Sequence, residues 1–134
     1  MAAVQVGGVT LEVLDTGVGT QTVCFSHGLL WDHRMFLPQI TALRDRYRCV
    51  AWDHRGQGKS EVPPGRIVTI EQVTADATAL LEQLGTGPVH FVGLSMGGFV
   101  GMRIAARRPD LIRSLALLET APDPEPPENL PKYR

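Results

Sequence analysis

The chain has 134 residues, 43% of them hydrophobic and 20% charged, with a formal net charge of -1. That is the length and composition of one globular domain with a core of its own. A balance so close to neutral speaks against nucleic acid or an anionic membrane surface as a partner, and no apolar run reaches membrane-spanning length. The start, Met1-Ala2-Ala3-Val4-Gln5, lacks the basic region and apolar core of a signal peptide, so a cytoplasmic chain is expected. Cys24 and Cys49 each lie in an apolar stretch and read as buried free thiols, with a disulfide as the lesser alternative. No Cys/His cluster has metal-ligand spacing, and no metal or cofactor is expected.

In chain order, Val4-Gln5-Val6 and Val9 to Leu14 read as a hairpin, with Gly7-Gly8 supplying the positive φ angles of a two-residue turn. Asp15 to Thr20 is a loop, and Gln21 to Ser26 is the next strand, ending in His27-Gly28-Leu29-Leu30-Trp31. Phe36, Leu37, Ile40 and Leu43 give His33 to Arg44 a helical spacing, with Pro38 tolerable only in the first turn. Tyr47 to Trp52 is a strand that breaks at Asp53-His54-Arg55-Gly56-Gln57-Gly58-Lys59-Ser60, and Pro63-Pro64-Gly65 continues that loop. Thr69-Ile70-Glu71-Gln72 has the form of a capping box. The helix it opens sets Ile70, Val73, Ala77, Leu80, Leu81 and Leu84 on one face and stops at Gly85.

Pro88-Val89-His90-Phe91-Val92 reads as a buried strand, and Phe99 to Arg108 as a helix ending at Pro109. Between them stands Gly93-Leu94-Ser95-Met96-Gly97-Gly98. A strand, a turn edged by glycines and a helix is the setting in which G-x-S-x-G exposes a serine at the tip of a strained turn. There the helix N-terminus favours negative charge. The plain alternative is a glycine-rich turn with an incidental serine. A last strand, Ser114 to Glu119, follows. From Ala121 onward the chain holds five of its 10 prolines, a composition that suits neither a helix nor an inner strand. Residues 1–120 thus form the folded core, and 121–134 a Pro-rich segment leading elsewhere.

Strands alternating with helices argue for a mostly parallel sheet covered on both faces. Ligands bind such sheets at the carboxyl ends of the strands. The loops at His27-Gly28, at Asp53 to Ser60 and at Ser95 all leave strand ends, so they are expected along one edge. On these three motifs, in this order and approximate spacing, the sequence resembles the α/β-hydrolase family, specifically its small esterase, lactonase and haloperoxidase-like branch. The resemblance runs from the opening hairpin to Glu119. It implies an α/β fold truncated before a cap region and the last strands.

The resemblance also implies roles. Ser95 would attack an acyl carbon, and the backbone N–H groups of Met96 and Leu29 would form the oxyanion hole. Gly28, Leu30, Trp31 and Phe36 would line an apolar acyl pocket; core packing is the alternative for the last three. His27 would shape its loop, and Asp53 and Arg55 would hold neighbouring backbone. His54 has little claim to direct chemistry, His33 and His90 read as ordinary surface or strand histidines, and Asp53 leaves the wrong strand to serve as the triad acid. The substrate would be a small carboxylic ester or lactone.

The sequence departs from the family where the base should be. In this fold the acid and the histidine follow the nucleophile, yet all four histidines precede Ser95. A histidine from a segment outside this sequence is therefore required, and Glu119, at the end of the last strand, is the candidate acid. Its alternative is a polar strand-end residue. Without further strands, Ser114 to Glu119 would be an exposed apolar edge, so a C-terminal half of the same fold or self-association is expected as partner. The competing reading is a catalytically incomplete, hydrolase-like binding module or an inert fragment.

Overall fold

The computed structural model describes residues 1–28, 31–62 and 68–119. Strands β1 (Ala2–Val6) and β2 (Val9–Asp15) form the opening hairpin, followed by β3 (Thr22–Ser26), α1 (Leu37–Leu43), β4 (Arg48–Trp52), α2 (Ile70–Leu84), β5 (Val89–Leu94), α3 (Met96–Arg107) and β6 (Ile112–Leu118). The hairpin turns at Gly7 and Gly8, whose φ angles of 48° and 84° are both positive, and pairs Val6 with Val9. The six strands form one sheet in the order β1-β2-β4-β3-β5-β6. β1, β2 and β4 pair antiparallel, whereas β4, β3, β5 and β6 run parallel. An α/β sheet with an antiparallel lead-in is thus what the alternation of elements predicts.

Both faces of the sheet are covered. On one, α2 and α3 bury Val73, Ala77, Leu80, Leu81, Val100 and Ile104 against Leu11, Val13, Cys24, Val50, Trp52 and Phe91. On the other, Phe36 and Ile40 pack on Val23, Phe25, Cys49 and Ala51. The two cysteines are free and lie on opposite faces, which removes the disulfide alternative. Burial raises the pKa of both thiols.

Several boundaries differ from the sequence reading. The span from His33 to Arg44 is not one helix: a 3₁₀ turn, His33–Phe36, precedes α1. Pro38 sits in the first turn of α1, where its missing N–H breaks no ladder, and so the α-helix restarts there. Helix α3 begins at Met96, directly after the serine turn. β6 begins at Ile112 and ends at Leu118, leaving Glu119 outside the strand with φ 47°. The capping box at Thr69 and Gln72 is present, and Gly85 ends α2 at φ 62°. The loop at Pro63-Pro64-Gly65 and the Pro-rich segment from Ala121, with the boundary at residue 120, lie outside the described residues.

Among the described residues, Arg55 forms a two-bond ion pair with Asp76 on α2, at 2.7 and 2.8 Å, where the resemblance implied a hold on neighbouring backbone. The side chains are 9% and 4% exposed. A buried pair that loses one partner leaves an uncompensated charge, so Asp76→Asn is expected to cost about 3–5 kcal/mol in urea unfolding. A loss below about 1 kcal/mol would reduce the pair to the weight of a surface salt bridge.

Candidate active site

Three parallel strands end in register. Ser26 on β3 lies opposite Trp52 on β4 and Gly93 on β5, and Leu94 lies opposite Leu118 on β6. The segments that follow, at His27, Asp53, Ser95 and Glu119, therefore share one edge of the sheet.

Ser95 is the single residue between β5 and α3, with φ 51° and ψ -112°. A non-glycine residue in that region stores about 1–3 kcal/mol of backbone strain. Neighbours hold it there. Its N–H donates to the Leu118 carbonyl at 2.9 Å, and its own carbonyl accepts from the N–H groups of Gly98 and Phe99. The turn closes only because two side chains are missing. A Cβ on Gly93 would come within 2.5 Å of the Gly97 carbonyl oxygen, and one on Gly97 would overlap the Ser26 carbonyl. The Met96 N–H opens α3, among the first-turn donors that a helix leaves without an intrahelical acceptor.

Gly28 is buried beside the serine; a Cβ there would lie 3.7 Å from Ser95 Cβ. Trp31 is 59% exposed, and its N–H donates to the Gly28 carbonyl at 3.2 Å. Phe36 is 4% exposed and stacks on Phe25 at 5.0 Å, so core packing accounts for it. Leu29 and Leu30, the expected oxyanion donor and pocket residue, lie outside the described residues. Glu119 is exposed and directly follows Leu118, whose carbonyl holds Ser95. This adjacency crosses from β5 to β6, and Glu119's place at a strand end was its only sequence signal.

The Asp53 loop ties the edge together. The Asp53 carboxylate accepts from the His33 N–H at 2.8 Å, His33 Nδ1 at 2.7 Å and the Lys59 N–H at 2.9 Å. His33 is thus buried and bonded in a 3₁₀ turn, not the ordinary surface or strand histidine expected from sequence. Asp32, His33 and Asp53 bring ligand-type atoms within 4.8 Å of one another, a cluster that sequence spacing did not reveal. These atoms are already engaged by N–H groups and by Arg34, whose guanidinium holds the Asp32 carboxyl down at about 2. His90 is half-buried in β5, between Ser114 Oγ at 2.6 Å and Gln21 Oε1 at 2.7 Å.

His27 and His54 are fully buried under the edge. Burial pushes the pKa of His54 well below its ordinary value, helped by the neighbouring His27 ring, and lowers that of His27. A cavity of about 360 Å³ between α2 and α3 is lined by Thr74, Ala75, Ala79 and Ile104 among others, and none of the expected site residues among the described ones borders it. Among the described residues, no helix is long and apolar enough to cross a membrane.

Comparison with known proteins agrees with this geometry. The family model described as alpha/beta hydrolase fold matches residues 21–134. The chain is 36% identical over 107 residues to RutD of Stutzerimonas stutzeri, a protein named for carbamate hydrolysis, covering 78% of this chain and 40% of that protein. It is 36% identical over 96 residues to the 3-oxoadipate enol-lactonase 1 of Acinetobacter baylyi, covering 71% of this chain and 35% of the lactonase. A thermophilic esterase structure from Thermogutta terrifontis superposes with a TM-score of 0.83 at 35% identity, covering 94% of this chain and 46% of the esterase. The chain thus spans less than half the length of these relatives.

Proposed function

The chain belongs to the alpha/beta hydrolase fold family, and on that premise we propose that it carries the nucleophile of a serine hydrolase acting on a small carboxylic ester or lactone. The observation that carries this reading is Ser95 held at φ 51° between β5 and α3, with Gly28 against it. Ser95 Oγ attacks the acyl carbon, and the carbonyl π electrons move to oxygen. The Met96 and Leu29 N–H groups receive that oxyanion. The tetrahedral intermediate collapses and expels the alkoxide, which takes a proton. Water then cleaves the acyl-Ser95 ester. A lactone keeps its alcohol tethered and gives a hydroxy acid.

The base is a histidine from outside these 134 residues. His27 and His54 are locked together under the edge, His33 is bonded to Asp53, and His90 is bonded to Ser114 and Gln21. Glu119, one residue from the carbonyl that fixes Ser95, orients that histidine. The supplying segment pairs along β6, where Leu117 and Leu118 are 39% and 47% exposed. The lactonase and esterase among the relatives support the substrate class.

The same distribution of histidines supports the competing reading, a hydrolase-like module that does no chemistry. Intact-mass spectrometry after a fluorophosphonate probe separates the two. One adduct mapping to Ser95, with turnover of 4-nitrophenyl acetate, is expected of protein that contains the C-terminal strands. A folded protein of that length with Ser95 unlabelled would replace the enzyme reading with the binding module.

A further inference from the structure

Under Ser95 lie two rings that the proposed chemistry does not use. His27 and His54 stack with centroids 4.1 Å apart. The His54 backbone N–H donates to Nε2 of His27 at 2.9 Å, so that nitrogen carries no proton. The proton of the neutral His27 ring is then on Nδ1, which donates to the Gly28 carbonyl at 2.7 Å. The Trp52 indole N–H donates to Nδ1 of His54 at 3.3 Å. His54 therefore holds its proton on Nε2, 3.1 Å from the His27 carbonyl and 3.2 Å from Ser26 Oγ. A second proton on either ring would set N–H against N–H.

We infer that this pair is a tautomer-locked clamp on the Gly28 carbonyl, and that His54 is a positioning residue for the Gly28 backbone beside Ser95. The inference rests on the serine-hydrolase reading for its catalytic consequence. Two contacts make the clamp local to the site. The Gly28 carbonyl, beside Ser95, receives both the His27 ring and the Trp31 N–H. The His27 carbonyl, to which His54 Nε2 donates, is with the Ser26 carbonyl one of the backbone atoms against which Gly97 packs. His54 touches no substrate; it acts through His27 and the Gly28 backbone.

The clamp needs both rings neutral. Asp53 and Asp32 face His27 and favour its proton, while His33 opposes it, and burial outweighs them. For His54, burial and the His27 ring both disfavour charge. An unfolded histidine takes a proton below about pH 6.5. The folded chain refuses it at both rings, so folding is unaffected by the pair above that pH and weakens as pH falls below it. The folding equilibrium is expected to drop by at most about tenfold per pH unit for each ring, until that ring's own folded-state pKa is reached.

Long-range ¹H–¹⁵N spectra of the ¹⁵N-labelled protein read the rings directly. An Nδ1–H on His27 and an Nε2–H on His54 are expected, with neither ring taking a proton at its ordinary pKa while the fold persists. The opposite tautomer on His54, or a ring that titrates near its ordinary value in the folded state, overturns the clamp. Two variants test the catalytic consequence. His54→Asn keeps an acceptor for Trp52 and loses the donor to His27, and His54→Phe loses both while keeping a ring in the stack. The kcat for 4-nitrophenyl acetate is expected to fall roughly ten- to hundredfold with KM little changed, because an oxyanion donor acts in the transition state. Folded variants with wild-type kcat overturn the positioning role. If neither variant folds, the wild-type spectra still decide. A folded wild type with the C-terminal strands but no turnover and no label at Ser95 ends the serine reading alone, and the spectra then decide the clamp by themselves.

Discussion

Gly97→Ala is expected to unfold the protein. The added methyl would overlap the Ser26 carbonyl and lie 2.8 Å from the His27 carbonyl oxygen, and all of these atoms are backbone. No rotamer change relieves such an overlap; α3 would have to move off β3. Packed interiors do not yield by that much. The cost should exceed about 4 kcal/mol, the range in which single substitutions are exceptional. That is most of the stability of a typical domain. Circular dichroism and urea unfolding check it. A folded Gly97→Ala protein that lost less than about 1 kcal/mol would mean that the serine turn has room for a methyl group. Gly28→Ala is the control beside it. A Cβ there meets its nearest neighbours at 3.5 Å, ordinary contact, so that variant should fold.

Ser95→Ala should separate chemistry from stability. Removing Oγ removes the attacking atom, and nucleophile deletions in serine hydrolases cost on the order of 10⁴- to 10⁶-fold in kcat. Turnover of 4-nitrophenyl acetate and the probe adduct should both vanish. The fold should persist, because the φ of 51° is imposed by the Leu118 carbonyl and the first turn of α3. Ser95→Gly should go further and stabilise the chain by about 1 kcal/mol, since glycine accepts that φ without strain. Residual turnover within about tenfold of wild type in Ser95→Ala would move the chemistry to another group.

Both expectations start from a segment that the sequence displays openly. The glycines at 93 and 97, the apolar strand before them and the helix after them announce the turn, because a turn's φ/ψ demands fall on residues a few positions apart. The hairpin at Gly7-Gly8 and the capping box at Thr69 were legible for the same reason. The broken helix after His33 is not legible in the sequence, because periodicity alone does not distinguish a 3₁₀ turn followed by an α-helix from one continuous helix.

The site's long-range half was less legible. Nothing near Arg55 points to Asp76, and nothing near His33 points to Asp53. The stack of His27 on His54 depends on β3 and β4 running in register from Thr22–Arg48 to Ser26–Trp52. Glu119 could be singled out as a strand-end carboxylate. Its placement one residue beyond the carbonyl that grips Ser95 needed the β5–β6 pairing.

By itself, then, the sequence determined the α/β alternation, the strained serine between strand and helix, and the absence of any histidine after it. Those features are written in neighbouring residues or in composition, where steric and periodic rules act over one or two turns of chain. Only the tertiary structure decided that four strand ends share one edge, that Phe36 belongs to the core, and that two buried histidines lie ring against ring, each bonded to the other's backbone. Those outcomes follow from sheet register and desolvation. Register places side chains dozens of residues apart within hydrogen-bond distance, and desolvation decides which of them can carry charge there.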